Sequence, residues 1–419
     1  MPATDYRRNH YVPEWYQHRF LLNDVREKKF YYLDLHPDKV VNGKRKYQRR
    51  SLLRWGPPRC FREEDLYTTR FGQWESTEIE QKFFGRIDSL GKPAVEHFST
   101  FEHPSVDEPS FHNLLLFLSI QKLRTPKGLA TLADLVKLSD KNLVLLKVQE
   151  LQQLFCAFWT ESVWSIVDAS QSETKFLLSD HPVTVYNGGC FPGSKWCQGH
   201  RDPGVWLTGT HTLFPLNLEK MLIFTNLSWV RNPYANPLES RPNPAPFRTA
   251  IFNFLQIQTR RSLTEREVIE INYIIKKRAY RYLAAAKEEW LYPEKSLSTQ
   301  HWSKFGDGYL LMPDPRSVTF TTGMYVGYQD GTSIGFDEYG RKPWQKGYQN
   351  KEQQEREWET FQAFKGEYAR LFGPKRRGRA FEGMELDNEE DSQEYHSYNL
   401  KLEQKYGKFR HKPKRKRKG

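Results

Sequence analysis

The stretch that decides the fold is FHNLLLFLSIQKLRTP, residues 111–126. It is apolar on nearly every side, which is typical of a helix buried inside a globular domain. Pro126 should end this helix, because the proline ring disfavours helical geometry at the preceding residue, Thr125. We therefore expect a buried helix that ends before Pro126.

Further helices are predicted on both sides of this segment. Apolar residues recur on one face after Thr77, and Thr77 with Glu80 three residues later fits a capping box. Three more helices are expected at 141–160, near Arg248 and at 264–290. The sequence therefore predicts a domain in which helices outnumber strands.

Short strands are predicted before and between these helices. Residues 30–35 are rich in aromatic residues that favour strands, and residues 40–60 are polar and should cross the surface. The apolar stretches SIVDA, KFLLS, VTVY, LFPLN and MLIFTN, between residues 165 and 226, indicate more strands. We predict an α+β fold, a helix-rich domain around a small and mostly antiparallel sheet.

The C-terminal third differs from the rest of the chain in composition and in hydrophobic pattern. Asp330-Gly331 stands between alternating segments and predicts a β-hairpin, and residues 349–372 have the apolar spacing of one amphipathic helix. Residues 373–419 contain few core-forming residues and are expected to be mostly disordered. The predicted organisation is an α+β domain at 7–295, an extension at 296–372 and a charged tail at 373–419.

Length and composition exclude several classes of protein. The 419 residues can bury a large core, and aromatic residues make up 15% of the chain. No stretch approaches the roughly 18 apolar residues of a spanning helix, and the start lacks the apolar segment of a secretory signal. With only four cysteines, a disulfide framework is not expected. We expect a protein of the cytoplasm without a membrane partner.

The positive charge is concentrated at the C-terminal end. The last twelve residues contain no acid, and removing their eight charges from the net charge of +13 leaves +5. Such a basic end can bind polyanions, or serve nuclear import if the source is eukaryotic. Nucleic acid is thus the predicted partner, and the predicted contacts are Lys408, Arg410, Lys412, Lys414, Arg415, Lys416, Arg417 and Lys418.

The familiar sequence signatures of nucleotide binding and hydrolysis are missing. The chain has no P-loop, no G-x-G-x-x-G, no H-E-x-x-H and no G-x-S-x-G. Cys190, Cys197 and His200 form a loose C-x6-C-x2-H pattern that would need a fourth zinc ligand such as His211, and two unpaired thiols in a loop are the simpler interpretation. The sequence therefore identifies no cofactor. A divalent metal ion is an open alternative, although no motif indicates one.

One polar pair is predicted on the buried helix. Gln121 and Arg124 share a helical face, so both side chains point the same way. A guanidinium in apolar surroundings needs a carboxylate or an anionic ligand, because burying it alone costs several kcal/mol. Two readings stay open: an internal salt bridge to Glu80 or Asp180, or a phosphate-binding site.

Two further residues have the chemistry of catalytic groups. Asp180 follows a predicted strand and could act as a base, bind a metal or form a turn before Pro182. His10 could be a catalytic imidazole or a hydrogen-bonded structural residue. We expect His10, Gln121, Arg124 and Asp180 to converge in space.

These segments together resemble a known family. NHYVPEWYQHRFL (9–21), IQKLRTP (120–126), FLLSDHPVTV (176–185), LFPLN (213–217) and INYIIKKRAYRYL (271–283) are similar to the domain of unknown function 4238 family. The likeness covers about residues 7–295 and includes the H-x-V-P opening. The family-type positions are His10, Pro13, Tyr16, Phe20, Gln121, Arg124, Pro126, Ser179, Asp180, Pro182 and Asn272, whereas His181 departs from the asparagine associated with its position.

The resemblance implies a domain but no reaction, so three functional hypotheses stand side by side. The first is nucleic-acid association with a phosphate-binding cleft. The second is a phosphodiesterase or nuclease that uses His10 and Asp180, with Gln121 and Arg124 on the phosphate and Glu80 and Asn272 in support. The third is a non-enzymatic interaction protein whose polar motifs are structural.

Overall fold

A computed structural model describes residues 7–23, 27–42, 45–102, 107–199, 201–302, 305, 309–381 and 389–409. The fold is α+β, with 40% helix and 19% strand. The helices are α1 (Glu14–Gln17), α2 (Gly85–Ser99), α3 (Glu108–Arg124), α4 (Pro126–Val136), α5 (Lys141–Glu150), α6 (Cys156–Thr160), α7 (Leu227–Arg231), α8 (Glu265–Arg278), α9 (Lys351–Phe372) and α10 (Glu389–Tyr406).

The strands are short and mostly antiparallel. They are β1 (Arg8–His10), β2 (Phe30–Asp34), β3 (Lys39–Asn42), β4 (Arg45–Gln48), β5 (Leu52–Trp55), β6 (Arg62–Glu64), β7 (Thr69–Phe71), β8 (Trp74–Ser76), β9 (Ser162–Asp168), β10 (Leu178–Ser179), β11 (Thr184–Asn187), β12 (Thr210–Pro215), β13 (Lys220–Asn226), β14 (Gln258–Ser262), β15 (Tyr282–Ala285), β16 (Met324–Gly327) and β17 (Ser333–Phe336).

Two sheets organise the chain. The larger has the order β11-β12-β13-β9-β14 and is antiparallel except for the β14–β9 pair. The smaller has the antiparallel order β10-β15-β2-β5. Strand β14 lies at the edge of the larger sheet, where Thr259 exchanges two backbone hydrogen bonds with Arg379, at 2.8 and 2.9 Å. A residue from the C-terminal region thus covers part of this edge.

The larger sheet separates the two main parts of the core. On one side, Phe111 of α3 stacks on Trp164 of β9, with ring centroids 5.1 Å apart. On the other side, Leu213 and Ile223 belong to the same apolar cluster as Ile271 of α8. The central position of α3 follows from its sequence, since its apolar residues face neighbours in nearly every direction.

The boundaries of α3 and α4 follow from local chemistry. The carboxylate of Asp107 accepts the amide of Ser110 at the start of α3. Thr125 is extended, as expected before a proline, and its hydroxyl caps α4 by accepting the amide of Gly128 at 3.1 Å. Pro126 therefore ends one helix, as predicted, and begins the next.

Several predicted elements differ from the structure. Thr77 does not form a capping box with Glu80; its hydroxyl accepts a hydrogen bond from Gln81, and a π-helical turn at 79–84 leads into α2. The predicted helix at 141–160 is split into α5 and α6 by a turn. The helix expected near Arg248 is absent from the described residues there, which hold a 3₁₀ turn at 254–256 and strand β14.

The helix predicted at 264–290 is also too long. Helix α8 begins at a capping box between Thr264 and Glu267, but it ends at Arg278. The next residues form β15, which pairs with β2 and β10. The helical pattern fails here because the carboxylate of Asp180 accepts the backbone amides of residues 280–282 and turns the chain into the sheet.

The extension packs on the rest of the protein. Helix α9 places Phe361, Phe364 and Tyr368 in one apolar cluster with Val163 of β9 and Val230 of α7. The predicted hairpin forms as β16 and β17, and Gly331 in its turn has a φ of 83°, which glycine adopts without strain.

The expectation of a disordered tail is wrong for part of the chain. Residues 389–406, expected to be disordered, form α10, which packs along α9. Leu402 is buried and the Arg370 guanidinium pairs with the Glu403 carboxylate at 3.0 Å. Within the described ranges, no helix combines the length and the apolar character needed to cross a bilayer.

Candidate functional site: a buried lysine, histidine and aspartate cluster

The last turn of α3 holds a buried ion pair. The Arg124 guanidinium donates to both carboxylate oxygens of Asp88 on α2, at 3.1 and 2.8 Å, and to the amide oxygen of Gln121 at 2.9 and 2.5 Å. The Gln121 amide in turn donates to the backbone oxygen of Tyr11 at 2.8 Å. An internal salt bridge was one of the two open readings, and one forms here, but its partner is Asp88 rather than Glu80 or Asp180.

Glu80 lies close to this pair without bonding to it. Its Oε2 is buried without a hydrogen-bond partner among the described residues. Burial raises the pKa of Glu80 to about 7, although Arg124 opposes the shift. Glu80 is therefore protonated in a large share of molecules at neutral pH.

Asp180 and Asn272 hold backbone segments together. The buried Asp180 carboxylate accepts the amides of Tyr280, Arg281 and Tyr282 at 2.9, 2.6 and 2.8 Å. Burial raises the pKa of Asp180, and these three hydrogen bonds oppose that shift. The Asn272 side chain accepts a hydrogen bond from the amide of Leu177 at 3.2 Å and donates one to the backbone oxygen of Lys175 at 2.9 Å. Both residues have geometry suited to joining α8 and β15 to the segment at 175–180.

His10 lies apart from these residues. It is on β1, and its Nε2 is 3.3 Å from the Glu14 carboxylate. Burial lowers the pKa of His10, although Glu14 opposes the shift. Among the described contacts, none joins His10 or Asp180 directly to Arg124, so the four residues of the predicted site share no common hydrogen-bond network.

A different polar cluster does form where the family-like segments at 120–126 and 176–185 meet the loop that carries Asp202. The carboxylate of Asp202 accepts hydrogen bonds from Lys122 Nζ at 2.6 Å and Lys127 Nζ at 2.5 Å. His181 Nε2 lies 3.1 Å from the same carboxylate, and its Nδ1 lies 2.6 Å from the hydroxyl of Thr125. We call Lys122, Thr125, Lys127, His181 and Asp202 the lysine–aspartate cluster.

The cluster is almost sealed from solvent. The side chains of Lys122, Lys127, His181 and Asp202 are 10%, 5%, 2% and 9% exposed. Burial would raise the pKa of Asp202, but the attraction of the two lysines outweighs it and holds that pKa well below its usual range. Burial and the charge of Lys122 lower the pKa of His181 to about 3, so its imidazole is neutral at physiological pH.

A further cation borders the cluster. Arg278, at the end of α8, is 4% exposed and donates to the backbone oxygen of Cys190. Its Nε has no hydrogen-bond partner, and no carboxylate within the described residues forms a salt bridge with it. The pKa of Cys197 is lowered to about 6, first by a hydrogen bond with Cys190 and also by the charge of Arg278. The region therefore favours negative charge.

The sequence contained part of this information. Lys122 and Thr125 lie inside IQKLRTP, and His181 lies inside the segment at 176–185. The helical-face argument selected Gln121 and Arg124 because their spacing is visible in the sequence. The contact between Lys122 and His181 depends on tertiary packing between segments 59 residues apart. No sequence pattern singled out Asp202.

The cysteine and histidine pattern does not assemble a metal site in the part of the chain that the structure describes. Cys190 and Cys197 are free thiols that share a small apolar cluster with Leu207, and His211 bonds Thr225. His200 is outside the described residues. No group of three or more potential ligands is found among those that are described.

Most of the tail residues that are predicted to contact nucleic acid lie outside the part of the chain that the structure describes. Lys408 follows α10, and the remaining predicted contacts, Arg410, Lys412, Lys414, Arg415, Lys416, Arg417 and Lys418, lie outside the described residues. Their contribution stays a prediction.

The chain was compared with protein-family models, curated proteins and solved structures. No curated protein and no solved structure matches the chain significantly. The family model described as "Protein of unknown function (DUF4238)" matches residues 8–289, which include β1, the lysine–aspartate cluster and α8. Because this match spans well over half of the 419 residues, the chain belongs to the DUF4238 family.

Proposed function

We propose that the protein associates with nucleic acid and binds a phosphate group at the lysine–aspartate cluster. The observation that carries the proposal is the convergence of Lys122, Lys127 and His181 on the single carboxylate of Asp202. Two ammonium groups and an imidazole around one oxyanion are suited to a phosphate oxygen as well as to a carboxylate. Asp202 then stands where a ligand phosphate would bind.

The neighbouring arginine supports this assignment. Arg278 is buried beside the cluster without a carboxylate partner in the described chain. A buried guanidinium without a carboxylate partner favours an anion nearby, and a phosphate that displaced Asp202 would add negative charge beside it. Arg124, the residue expected from the sequence to hold phosphate, already has both its charge and its planar donors satisfied by Asp88 and Gln121.

The burial of the cluster restricts the ligand. Side chains that are at most 10% exposed leave no groove for an unbroken strand. A terminal phosphate needs less room than an unbroken strand, because only one end of the nucleic acid has to reach the cluster. We therefore propose a phosphorylated strand end as the ligand, with the basic end of the chain supplying sequence-independent affinity.

The test compares short single-stranded oligonucleotides with and without a 5′ or 3′ phosphate. We expect tighter binding of one phosphorylated form and loss of that preference in Lys127→Met. Asp202→Asn should strengthen phosphate binding, because the competing carboxylate is gone. Lys147→Met, which removes an ammonium from the surface of α5, is the matched control. Equal binding of all three oligonucleotides by the wild type would refute the phosphate site.

The tail is tested separately on the same oligonucleotides. Deletion of residues 408–419 should flatten the dependence of log K on log salt, since each lost phosphate contact changes the slope by about 0.7 on single strands. The preference for a phosphorylated end should survive this deletion. An unchanged slope would place the non-specific contacts on the folded body instead.

A phosphodiesterase or nuclease activity is the second candidate. His181 stands between the Thr125 hydroxyl and the Asp202 carboxylate, an order of groups that can pass a proton. Cleavage of DNA or RNA, with Mg²⁺, Mn²⁺ or chelator present, that disappears in His181→Gln would support it. Binding without cleavage under all these conditions would favour the non-enzymatic interaction protein.

A further inference from the structure

A cavity lies where the extension meets the family domain, away from the lysine–aspartate cluster. Its volume is about 650 Å³, within the usual range for a small-molecule site. The family domain contributes Tyr186, His211 and Trp229, and the extension contributes Tyr309, Leu311 and Met312. Neither part of the chain forms this cavity alone.

The polar group that distinguishes the cavity is His211. Tyr186, His211 and Thr225 are cross-strand neighbours on β11, β12 and β13, so their side chains stand in one row on the same face of the sheet. His211 is 5% exposed, and its Nδ1 is 3.0 Å from the hydroxyl oxygen of Thr225. The histidine is thus fixed on the wall of the cavity rather than free to rotate.

The hydrogen bonds of Thr225 determine which ring nitrogen carries the proton. The Thr225 hydroxyl donates its single proton to the backbone oxygen of Leu311, at 3.2 Å. In the arrangement that also satisfies the backbone oxygen of Leu311, Nδ1 of His211 donates to the Thr225 hydroxyl, which leaves Nε2 with a lone pair. Among the described residues, Nε2 has no hydrogen-bond partner.

His211 stays neutral over the physiological range. Burial lowers its pKa to about 3, so Nε2 remains an acceptor. The carboxylate on the wall, that of Glu367, accepts a hydrogen bond from Tyr234 at 2.6 Å. Both groups accept hydrogen bonds, while the remaining walls offer aromatic rings and aliphatic side chains.

We propose that this cavity binds a small aromatic molecule that donates an N–H hydrogen bond to Nε2 of His211. The aromatic walls select a flat apolar ring, and a ligand with an acceptor in place of the donor would leave Nε2 unpaired. The cavity is independent of the proposed phosphate site, since Lys122, Lys127 and Asp202 do not border it.

The experiment uses calorimetric titration of the full chain with two probes, indole and benzofuran. They have nearly the same shape, but only indole carries an N–H donor. The wild type should bind indole at least about tenfold more tightly than benzofuran, the factor that corresponds to one hydrogen bond of about 1.4 kcal/mol. His211→Phe should bind the two probes equally, because the acceptor is replaced by an apolar ring.

A second variant fills the cavity without touching His211. A Cβ on Gly188 would have its nearest neighbour, the Tyr186 hydroxyl, at 3.6 Å, so Gly188→Leu adds volume without a backbone clash. It should weaken the binding of both probes at least tenfold. Gly327→Leu, at a hairpin position with nothing within 4 Å of the added atom, is the control.

Any one of four results would overturn the proposal. No measurable indole binding by the folded wild type, or equal binding of indole and benzofuran, overturns the proposal. So does a preference for indole that persists in His211→Phe, or indole binding that Gly188→Leu leaves unchanged. If His211→Phe fails to fold, the wild-type preference and Gly188→Leu decide the question.

Discussion

Arg124 and Asp88 form a bidentate ion pair between α3 and α2, with nitrogen–oxygen distances of 3.1 and 2.8 Å. The guanidinium is 1% exposed and the carboxylate 24% exposed. This pair gives the buried Arg124 guanidinium the carboxylate partner that its burial requires.

The first prediction concerns the stability that this pair provides. Arg124→Leu should lower the free energy of unfolding by about 3–5 kcal/mol, because Asp88 and Gln121 lose their donors in a buried setting. The double variant with Asp88→Leu should be less destabilised than the sum of the single variants. Urea unfolding measures the cycle. Arg266→Leu, which breaks the exposed pair with Glu270, should cost only about 0.5 kcal/mol.

The second prediction concerns Glu80 and pH. Its pKa of about 7 in the folded protein exceeds the ordinary value of 4.5. At Glu80, between these values, the folded state binds more protons than the unfolded state, so the contribution of Glu80 to stability should fall as pH rises from about 4.5 to 7, by up to about 3 kcal/mol. Glu80→Gln should remove this dependence. The exposed variant Glu78→Gln is the control, and identical profiles for wild type and Glu80→Gln would contradict the assignment.

The third prediction concerns two buried histidines. The pKa values of His181 and His211 are both lowered to about 3, against about 6.5 in the unfolded chain. The unfolded state therefore binds protons first, and the contribution of these two histidines to stability should fall as pH drops below 6.5, by about 1.4 kcal/mol per pH unit for each, against the opposite contribution of Glu80. His211→Phe should remove about half of this slope in urea unfolding between pH 6.5 and 4.5. The exposed His18→Phe should leave the slope as it is.

The fourth prediction concerns the contact between α9 and α10. A Cβ on Gly366 would lie 2.3 Å from the backbone nitrogen of Glu403, closer than atoms can approach. Gly366→Ala should therefore release α10 from α9 and expose residues 389–406 to limited proteolysis. Gly327→Ala, which meets no neighbour, should cleave like wild type. Equal protection in both variants would mean that α10 is held by other contacts.

Local features could be predicted from the sequence when local chemistry determined them. The apolar run at 111–124 became α3, and Asp330-Gly331 became a hairpin turn. Gln121 and Arg124 were expected on one face, and they bond each other there. Their partner Asp88 was not predictable, because it depends on how α2 crosses α3.

Other features were decided by contacts between distant segments. Residues 282–285 continue the helical pattern of α8, yet Asp180 captures the preceding amides and the segment becomes a strand. The lysine–aspartate cluster likewise joins residues near 122, 181 and 202 that carry no common spacing. Sequence patterns report the period of one element, whereas these sites arise from the packing of several.

The pairing of Thr259 with Arg379 has a consequence for solubility. Strand β14 ends the larger sheet, and an uncovered strand edge can recruit the edge of another molecule. The two backbone hydrogen bonds to Arg379 occupy donors and acceptors that would otherwise face outward. A protein truncated before residue 379 would therefore leave the edge of β14 uncovered. Such shortened forms should self-associate through β14 even when their cores remain folded.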